Sequence, residues 1–277
     1  MLARCRLALP LLLPLILSQA GAAQSGDAPK TFYRPSDLAW TGGFALGSFA
    51  LSRFDPAVAK YFEEPSTQNN PTLRGAANVM PHLQETTLTL GSFAVYGIAR
   101  LVHAGRDVQE ISLHSAEAIA AASITSQVIR GPLGRARPKD AQPRYEDQYE
   151  FHWFNGFRNF KYRAYPSIHA SSAFAAATVV VAETHYRSPH ATWIVAPVAY
   201  VVAMGPGYSR MYLGQHWASD IFMGAFLGTF YGLRIVDYAH AHPDNRVDRF
   251  FIPPRKQNGL AIVPGRGQFD ISYGFTF

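Results

Sequence analysis

The sequence predicts an all-α protein, a six-helix bundle followed by a short C-terminal strand or arm. Six long segments rich in Ala, Leu, Val, Phe and Gly lack the alternation of strands, and their lengths suit helices. Charged residues make up 16% of the 277-residue chain, and the usual share in a soluble domain is roughly 25%. This low charge content indicates long helices with buried or membrane-facing surfaces.

The six predicted helices follow one another through the middle of the chain. They cover 37–54, 86–103, 108–129, 167–185, 191–204 and 217–237. The sequence Pro35-Ser36-Asp37 is a suitable N-terminal cap for the first helix, and Pro166-Ser167 is one for the fourth. Small residues crowd the fourth helix, which predicts that a neighbouring helix approaches it closely.

Two connections between the predicted helices differ in composition. Residues 55–85 carry charges, Pro, Asn and Gly, which predicts a solvated linker. Residues 139–165 are dense in aromatic and basic side chains, and so long a connection in a compact domain is often functional. This second composition fits a folded hydrophobic flap and a substrate-contacting lid equally well.

The two ends of the chain differ from the middle. Residues 1–23 combine Arg4 and Arg6, an apolar run and a small-residue cleavage pattern, which predicts a secretory signal; an uncleaved anchor is the alternative. Cleavage would remove both arginines and the single cysteine, Cys5, and lower the net charge from +6 to +4. The predicted helical domain then covers 24–245. In the tail, 246–277, apolar and polar residues alternate from Phe269 to Phe277 as in one half-buried strand.

Three short clusters at helix ends carry the residue types of a phosphate site. The clusters are Arg130 with Arg137-Pro138, then Pro166-Ser167-Ile168-His169, then Ser209-Arg210 with His216 and Asp220. Arginine offers a planar fork of donors that matches phosphate oxygens and keeps its charge. Arg130, Arg137 and Arg210 are therefore candidates to neutralise a phosphoryl group and the charge of its transition state.

The same clusters supply candidates for proton transfer and nucleophilic attack. Ser167 begins a predicted helix, where a hydroxyl and free backbone amides favour an anion. His216 and Asp220 are four residues apart, which predicts a hydrogen bond along one helix face. A carboxylate on one imidazole nitrogen leaves the other nitrogen free to attack. His169 is then available to protonate the leaving oxygen.

Other kinds of site have less support in the sequence. The zinc pattern HExxH is absent, and a chain without Cys5 has no cysteine ligand. The phosphate loop GxxxxGK is absent as well. Nucleic-acid binding is not expected, because a charge of +4 is modest and the basic residues form no single stripe.

With these three clusters the sequence resembles the type 2 phosphatidic acid phosphatase superfamily. The family pattern is KxxxxxxRP, then PSGH, then SRxxxxxHxxxD, and this chain reads RGPLGRARP, PSIH and SRMYLGQHWASD. The resemblance implies a helical bundle and metal-independent hydrolysis of phosphate monoesters through a phosphohistidine, without a cofactor. It implies His216 as nucleophile, Asp220 as its orienting partner and His169 as general acid.

The resemblance also assigns phosphate binding, and there the chain departs from the family twice. The phosphate ligands would be Arg130, Arg137, Ser167, Ile168 and Arg210. Arg130 replaces the family lysine, which keeps the charge and changes its reach. Ile168 replaces a glycine whose amide faces the phosphate, and a positive φ at a β-branched residue would be strained.

The family includes soluble acid phosphatases, lipid phosphatases and vanadium-dependent haloperoxidases. The expected substrate is therefore a phosphate ester or a lipid phosphate. A haloperoxidase and a phosphate-binding scaffold of weak activity remain the alternatives. The sequence favours an exported protein of the periplasm or cell envelope, with a membrane surface as one partner, and it leaves the oligomeric state open.

Overall fold

A computed structural model describes residues 31–252 and the two strands at 259–264 and 269–274. The predicted signal segment, 1–23, lies outside these residues. Six of the described helices are long, as predicted. They are α1 (Ser36–Leu51), α5 (Glu85–Leu101), α6 (Arg106–Leu133), α7 (Ile168–Arg187), α8 (Pro189–Tyr212) and α9 (Ala218–Ala241).

The prediction of a solvated linker at 55–85 is wrong, because this stretch contains three short helices. They are α2 (Asp55–Glu63), α3 (Pro65–Gln68) and α4 (Pro71–Val79). Each has a proline in its first turn, where the missing N–H costs no hydrogen bond and the fixed φ suits a helix. Asp55, Phe62 and Ala77 of this stretch are buried, so it packs into the fold.

The chain divides into two units between Ala241 and His242, close to the predicted domain boundary at 245. The second unit holds a short helix, α10 (Arg246–Phe251), and two antiparallel strands, β1 (Gly259–Pro264) and β2 (Phe269–Gly274). The sequence predicted one strand and missed β1, because the apolar run at 259–264 has no alternation. The end of the predicted strand, 275–277, lies outside the described residues.

Helix α7 is the centre of the bundle and packs against α6, α8 and α9. Its close neighbour is α9, which presents Gly224, Gly228 and Gly232 at intervals of four residues. A Cβ on Gly228 would overlap the carbonyl oxygen of Ser171 and lie 2.7 Å from the nitrogen of Ala175. The two backbones are therefore in direct contact, as the small residues of α7 predicted.

Substitution Gly228→Ala should lower the free energy of unfolding by about 1–3 kcal/mol, because the methyl group meets rigid backbone. A matched control is Gly91→Ala in α5, where a Cβ would meet nothing within 4 Å. That change should raise stability by about 0.5–1 kcal/mol, the usual gain in helix propensity. Thermal and denaturant unfolding of both variants measure the difference; equal stabilities would contradict the close packing of α7 and α9.

A buried carboxylate lies at the C-terminal end of α7, about 24 Å along the helix from Ser167 at 1.5 Å per residue. Glu183 is 2.5 Å from Nδ1 of His114 and 2.9 Å from Nε2 of His240, and it also accepts a hydrogen bond from Arg187. Burial raises the pKa of Glu183, but the two histidines outweigh it and hold that pKa well below its ordinary value. This end of the bundle is thus held by an ionised carboxylate and its donors.

Candidate active site

The turn after α6 brings the first motif back toward the bundle. The helix ends at Leu133, and Gly134 takes a left-handed conformation with φ of 62°. A Cβ on Gly134 would overlap the carbonyl oxygen of His152, so this position requires glycine. The side chains of Arg135 and Arg137, which follow this glycine, are both buried.

The second motif lies at the start of α7. The Ser167 hydroxyl accepts a hydrogen bond of 3.4 Å from the Ala170 amide, and its own amide donates to the carbonyl oxygen of Asp220 at 3.0 Å. Ile168 is the first residue of α7 and is buried. Ile168 adopts a helical conformation and is not among the residues with positive φ. The backbone strain that a positive φ would cause at this β-branched residue is therefore avoided.

The two motif histidines come together from different parts of the chain. Their ring centroids are 6.1 Å apart, and Nε2 of His169 is 2.6 Å from Nη2 of Arg210. Guanidinium groups only donate, so Nε2 of His169 accepts this hydrogen bond and the neutral ring carries its proton on Nδ1. The charges of Arg130, Arg137 and Arg210 reach both imidazole rings.

Three donors of this group have no hydrogen-bond partner among the described residues. They are Nε of Arg137, Nε of Arg210 and Nδ1 of His169, and all three atoms are buried. An unpaired buried donor costs about 1–3 kcal/mol. An oxyanion with several acceptor oxygens is the ligand that suits a group of such donors.

The pKa shifts agree with a cationic pocket around two neutral imidazoles. Burial and neighbouring arginines lower the pKa of Arg130 and of Arg137 to about 10, so both stay charged at neutral pH. Burial, followed by Arg210, lowers the pKa of His169 to about 2. Burial, followed by Arg137 and Arg130, holds the pKa of His216 well below its usual range.

The predicted hydrogen bond between His216 and Asp220 is replaced by another one. Nδ1 of His216 lies 2.7 Å from the carbonyl oxygen of Ala164 and 3.5 Å from Oδ2 of Asp220. The prediction assumed that both residues lie on one helix, but α9 begins at Ala218 and His216 precedes it. A carbonyl only accepts, so Nδ1 carries the proton and Nε2 keeps its lone pair.

Asp220 instead binds other groups. Its Oδ2 accepts a hydrogen bond of 2.7 Å from the Trp217 amide at the start of α9, and its Oδ1 is 2.5 Å from Nη1 of Arg135. Arg135, Ala164 and Asp55 are the residues of this site that the sequence patterns missed. Arg135 could have been noticed because it stands two residues before Arg137 of the first motif. No nearby sequence pattern points to Ala164 or Asp55.

Glu85 is a further charged group near the arginines. It begins α5, and the charges of Arg130 and Arg210 lower its pKa against a larger rise caused by burial. Among residues 31–252, no group of three or more His, Cys, Asp or Glu side chains is arranged to hold a metal ion. Arg130, Arg137 and Arg210 supply positive charge at this site.

Comparison with known proteins agrees with this arrangement. The family model described as the PAP2 superfamily matches residues 112–243, which include all three motifs. This part of the chain belongs to the PAP2 superfamily. The family is the one that the motifs resemble, and the helical bundle agrees with it.

Two individual PAP2 relatives were also found. A lipid A 1-phosphatase of Porphyromonas gingivalis is 42% identical over 69 residues, which are 25% of this chain and 15% of the length of that protein. The crystal structure of a transmembrane PAP2-type phosphatidylglycerolphosphate phosphatase from Bacillus subtilis has 17% sequence identity and a TM-score of 0.44. That comparison covers 85% of this chain and 96% of the other.

Proposed function

We propose that the protein is a phosphatase that hydrolyses lipid phosphate monoesters through a phosphohistidine on His216. The observation that carries this proposal is the state of His216. Its Nδ1 proton is directed to the carbonyl oxygen of Ala164, its pKa is lowered by burial and by arginines, and its Nε2 lone pair is free. A neutral imidazole beside a cationic pocket is a competent nucleophile toward phosphorus.

The first chemical step transfers the phosphoryl group to the enzyme. Nε2 of His216 forms a bond to phosphorus while the bond from phosphorus to the ester oxygen breaks. The arginines stabilise the charge on the equatorial oxygens. A bound phosphate dianion raises the pKa of His169, which takes up a proton and then donates it to the leaving oxygen.

The second step returns the enzyme to its starting state. Neutral His169 takes a proton from water, whose oxygen attacks phosphorus as the bond to His216 breaks. Inorganic phosphate then leaves, and without the dianion His169 returns its proton to solvent and is neutral again. Three guanidinium groups supply the positive charge that the transition state needs, which supports a reaction without a metal ion.

An apolar surface supports a lipid substrate and a membrane partner. Exposed apolar side chains recur on four of the long helices, α1, α5, α6 and α8, and extended apolar surface marks a membrane or protein contact. They include Leu38, Leu46 and Phe49 on α1, Leu90, Ile98 and Leu101 on α5, and Trp193, Ile194 and Val198 on α8. Among the described helices, α8 alone is long and apolar enough to cross a bilayer, by length and composition. Export rests on residues 1–23.

An exposed aromatic cluster, here called the aromatic rim, lies in the segment that follows the first motif. We define it by five exposed side chains: Phe151, Trp153, Phe154, Phe157 and Phe160. The Arg137 guanidinium lies 4.0 Å from the centre of the Phe160 ring. The Phe157 ring lies against Gly131, next to Arg130, so closely that a Cβ there would overlap it. Phe157 and Phe160 thus bring apolar surface next to Arg130 and Arg137, which supports a lipid phosphate as the substrate.

The double substitution Trp153→Ser with Phe154→Ser should lower kcat/KM for a lipid phosphate in vesicles by about tenfold or more, because it removes two large exposed apolar side chains of the rim that are available to acyl chains. Turnover of a soluble aryl phosphate should stay within about twofold, because the phosphate ligands remain. Release of inorganic phosphate from both substrates measures the two rates.

The matched control is Trp193→Ser on α8. Trp193 is 70% exposed and Trp153 is 65% exposed, but Trp193 is 17 residues from Arg210, about 25 Å along the helix. The control should keep the wild-type ratio of lipid to aryl phosphate turnover. If the rim variant lost turnover of the lipid phosphate and of the aryl phosphate equally, the result would argue against lipid specificity. If the wild-type protein released phosphate from neither substrate, the proposed function would be refuted.

A further inference from the structure

Arg135 is the most enclosed cation near the site. Its side chain is 3% exposed. It donates from Nη1 to Asp220 Oδ1 at 2.5 Å and to Ser219 Oγ at 2.8 Å, and from Nη2 to Asp55 Oδ2 at 2.8 Å. Its Nε donates to the carbonyl oxygen of Gln148 at 2.9 Å. Four hydrogen bonds therefore fix this guanidinium in one orientation.

Two connections lead from Arg135 to His216. The first passes through Asp220, whose other carboxylate oxygen is 3.5 Å from Nδ1 of His216. The second passes through the backbone: the Ala164 amide donates to the carbonyl oxygen of Arg135 at 3.1 Å, and the Ala164 carbonyl accepts from His216. Both groups that surround Nδ1 of His216 are thus held by Arg135.

Asp55 completes this arrangement from α2. The Asp55 carboxylate is fully buried. It accepts hydrogen bonds from the Ser219 amide at 2.9 Å, from the Ser219 hydroxyl at 2.5 Å and from Arg135. Asp55 lies outside the part of the chain that matches the family model, residues 112–243. It binds both Arg135 and the first turn of α9, which are far apart in sequence.

We infer that Asp55 and Arg135 are positioning residues that hold His216 in line for attack, so that the segment before the family region completes the active site. The inference rests on the proposed phosphohistidine mechanism. None of the hydrogen bonds described above joins Asp55 or Arg135 to a proposed phosphate ligand, so we expect their effect to reach phosphorus through His216. Displacement of a nucleophile by about 1 Å can cost about a hundredfold in rate.

The electrostatics support this role. Burial raises the pKa of Asp55 and of Asp220, and Arg135 opposes the rise in both. Arg135 bridges two buried carboxylates, donating from Nη1 to Asp220 and from Nη2 to Asp55. A planar guanidinium can do this, whereas the ammonium group of a lysine lacks the two separate donor arms. Removal of either partner leaves a buried charge without compensation.

The substitution Asp55→Asn tests the inference. The new amide group must point its N–H bonds at Arg135 or at Ser219, both of which are donors, so the arrangement shifts. We expect kcat to fall by about 10- to 100-fold. The inhibition constant of inorganic phosphate should stay within about threefold, because the arginines and Ser167 remain. Inhibition by vanadate should weaken in parallel with kcat. Vanadate mimics the five-coordinate transition state, in which Nε2 of His216 would occupy an axial position, so its binding depends on how this imidazole is placed.

Glu183→Gln is the matched control, because it also removes a buried carboxylate that accepts from an arginine. It lies at the other end of α7 and should lower stability without altering kcat or the ratio of vanadate to phosphate affinity. Ser219→Ala is a milder variant that removes one hydroxyl between Asp55 and Arg135. It should lower kcat by about three- to tenfold with unchanged phosphate binding.

Two results would overturn the inference. One is wild-type kcat and vanadate affinity in folded Asp55→Asn and Ser219→Ala protein. The other is an equal loss of phosphate and vanadate binding in Asp55→Asn and Glu183→Gln, which would indicate a structural role alone. Failure of the proposed function is distinct, because wild-type protein would then form no phosphohistidine.

Discussion

Replacing His216 by alanine should reduce turnover of an aryl phosphate by about 10⁴- to 10⁶-fold, the range in which removal of a nucleophile falls in other covalent enzymes. The physical reason is that Nε2 of His216, whose lone pair is kept by the proton on Nδ1, is the attacking atom in the proposed mechanism. Inorganic phosphate should still bind, because its proposed ligands, the arginines and the start of α7, are unchanged in this variant. Steady-state phosphate release and competitive inhibition by phosphate measure the two properties.

The control for this variant is His190→Ala. His190 is exposed at the start of α8, at the end of that helix away from Arg210. It should show wild-type turnover and stability. A His216→Ala protein that keeps more than about a hundredth of wild-type turnover would be inconsistent with a covalent role for this imidazole.

Replacing Arg210 by alanine should lower kcat by about 10²- to 10³-fold, the usual cost of losing one donor to an oxyanion. Arg210 has two functions in the site. Its unpartnered Nε is available to a phosphate oxygen, and its Nη2 donates to Nε2 of His169 at 2.6 Å. The variant therefore loses both a charge at the phosphoryl group and the orientation of the proposed general acid.

Arg210→Lys separates these two effects. Lysine keeps the charge but lacks the planar fork, so we expect it to recover part of the phosphate affinity and little of kcat. Arg100→Ala, at the exposed end of α5, serves as the control for loss of an arginine. Equal kinetics of Arg210→Ala and wild-type protein would place the phosphoryl group elsewhere.

The features that the sequence predicted are those with a local signature. The long helices follow from composition and length, and the motif arginines and histidines follow from fixed spacing. The sequence also predicted close packing on α7 from its run of small residues, and α9 supplies the matching glycines. Each of these patterns depends on neighbours within a few residues.

The features that it missed depend on distant or backbone groups. The Ala164 carbonyl binds His216 across 52 residues, and every residue type has a carbonyl, so no sequence signal exists. Asp55 reaches Ser219 across 164 residues from a stretch that reads as a linker. The predicted hydrogen bond between His216 and Asp220 along one helix face is replaced for a related reason: spacing alone does not tell where a helix begins.

The central claim is that His216 carries the phosphoryl group during turnover, and one measurement tests it directly. Enzyme mixed with ³²P-labelled substrate is quenched in alkali within a single turnover, digested, and the labelled peptide sequenced. We predict an alkali-stable, acid-labile label at His216 that forms at least as fast as product is released. A label on another residue, or steady release of phosphate with no labelled protein at any time, would contradict the account.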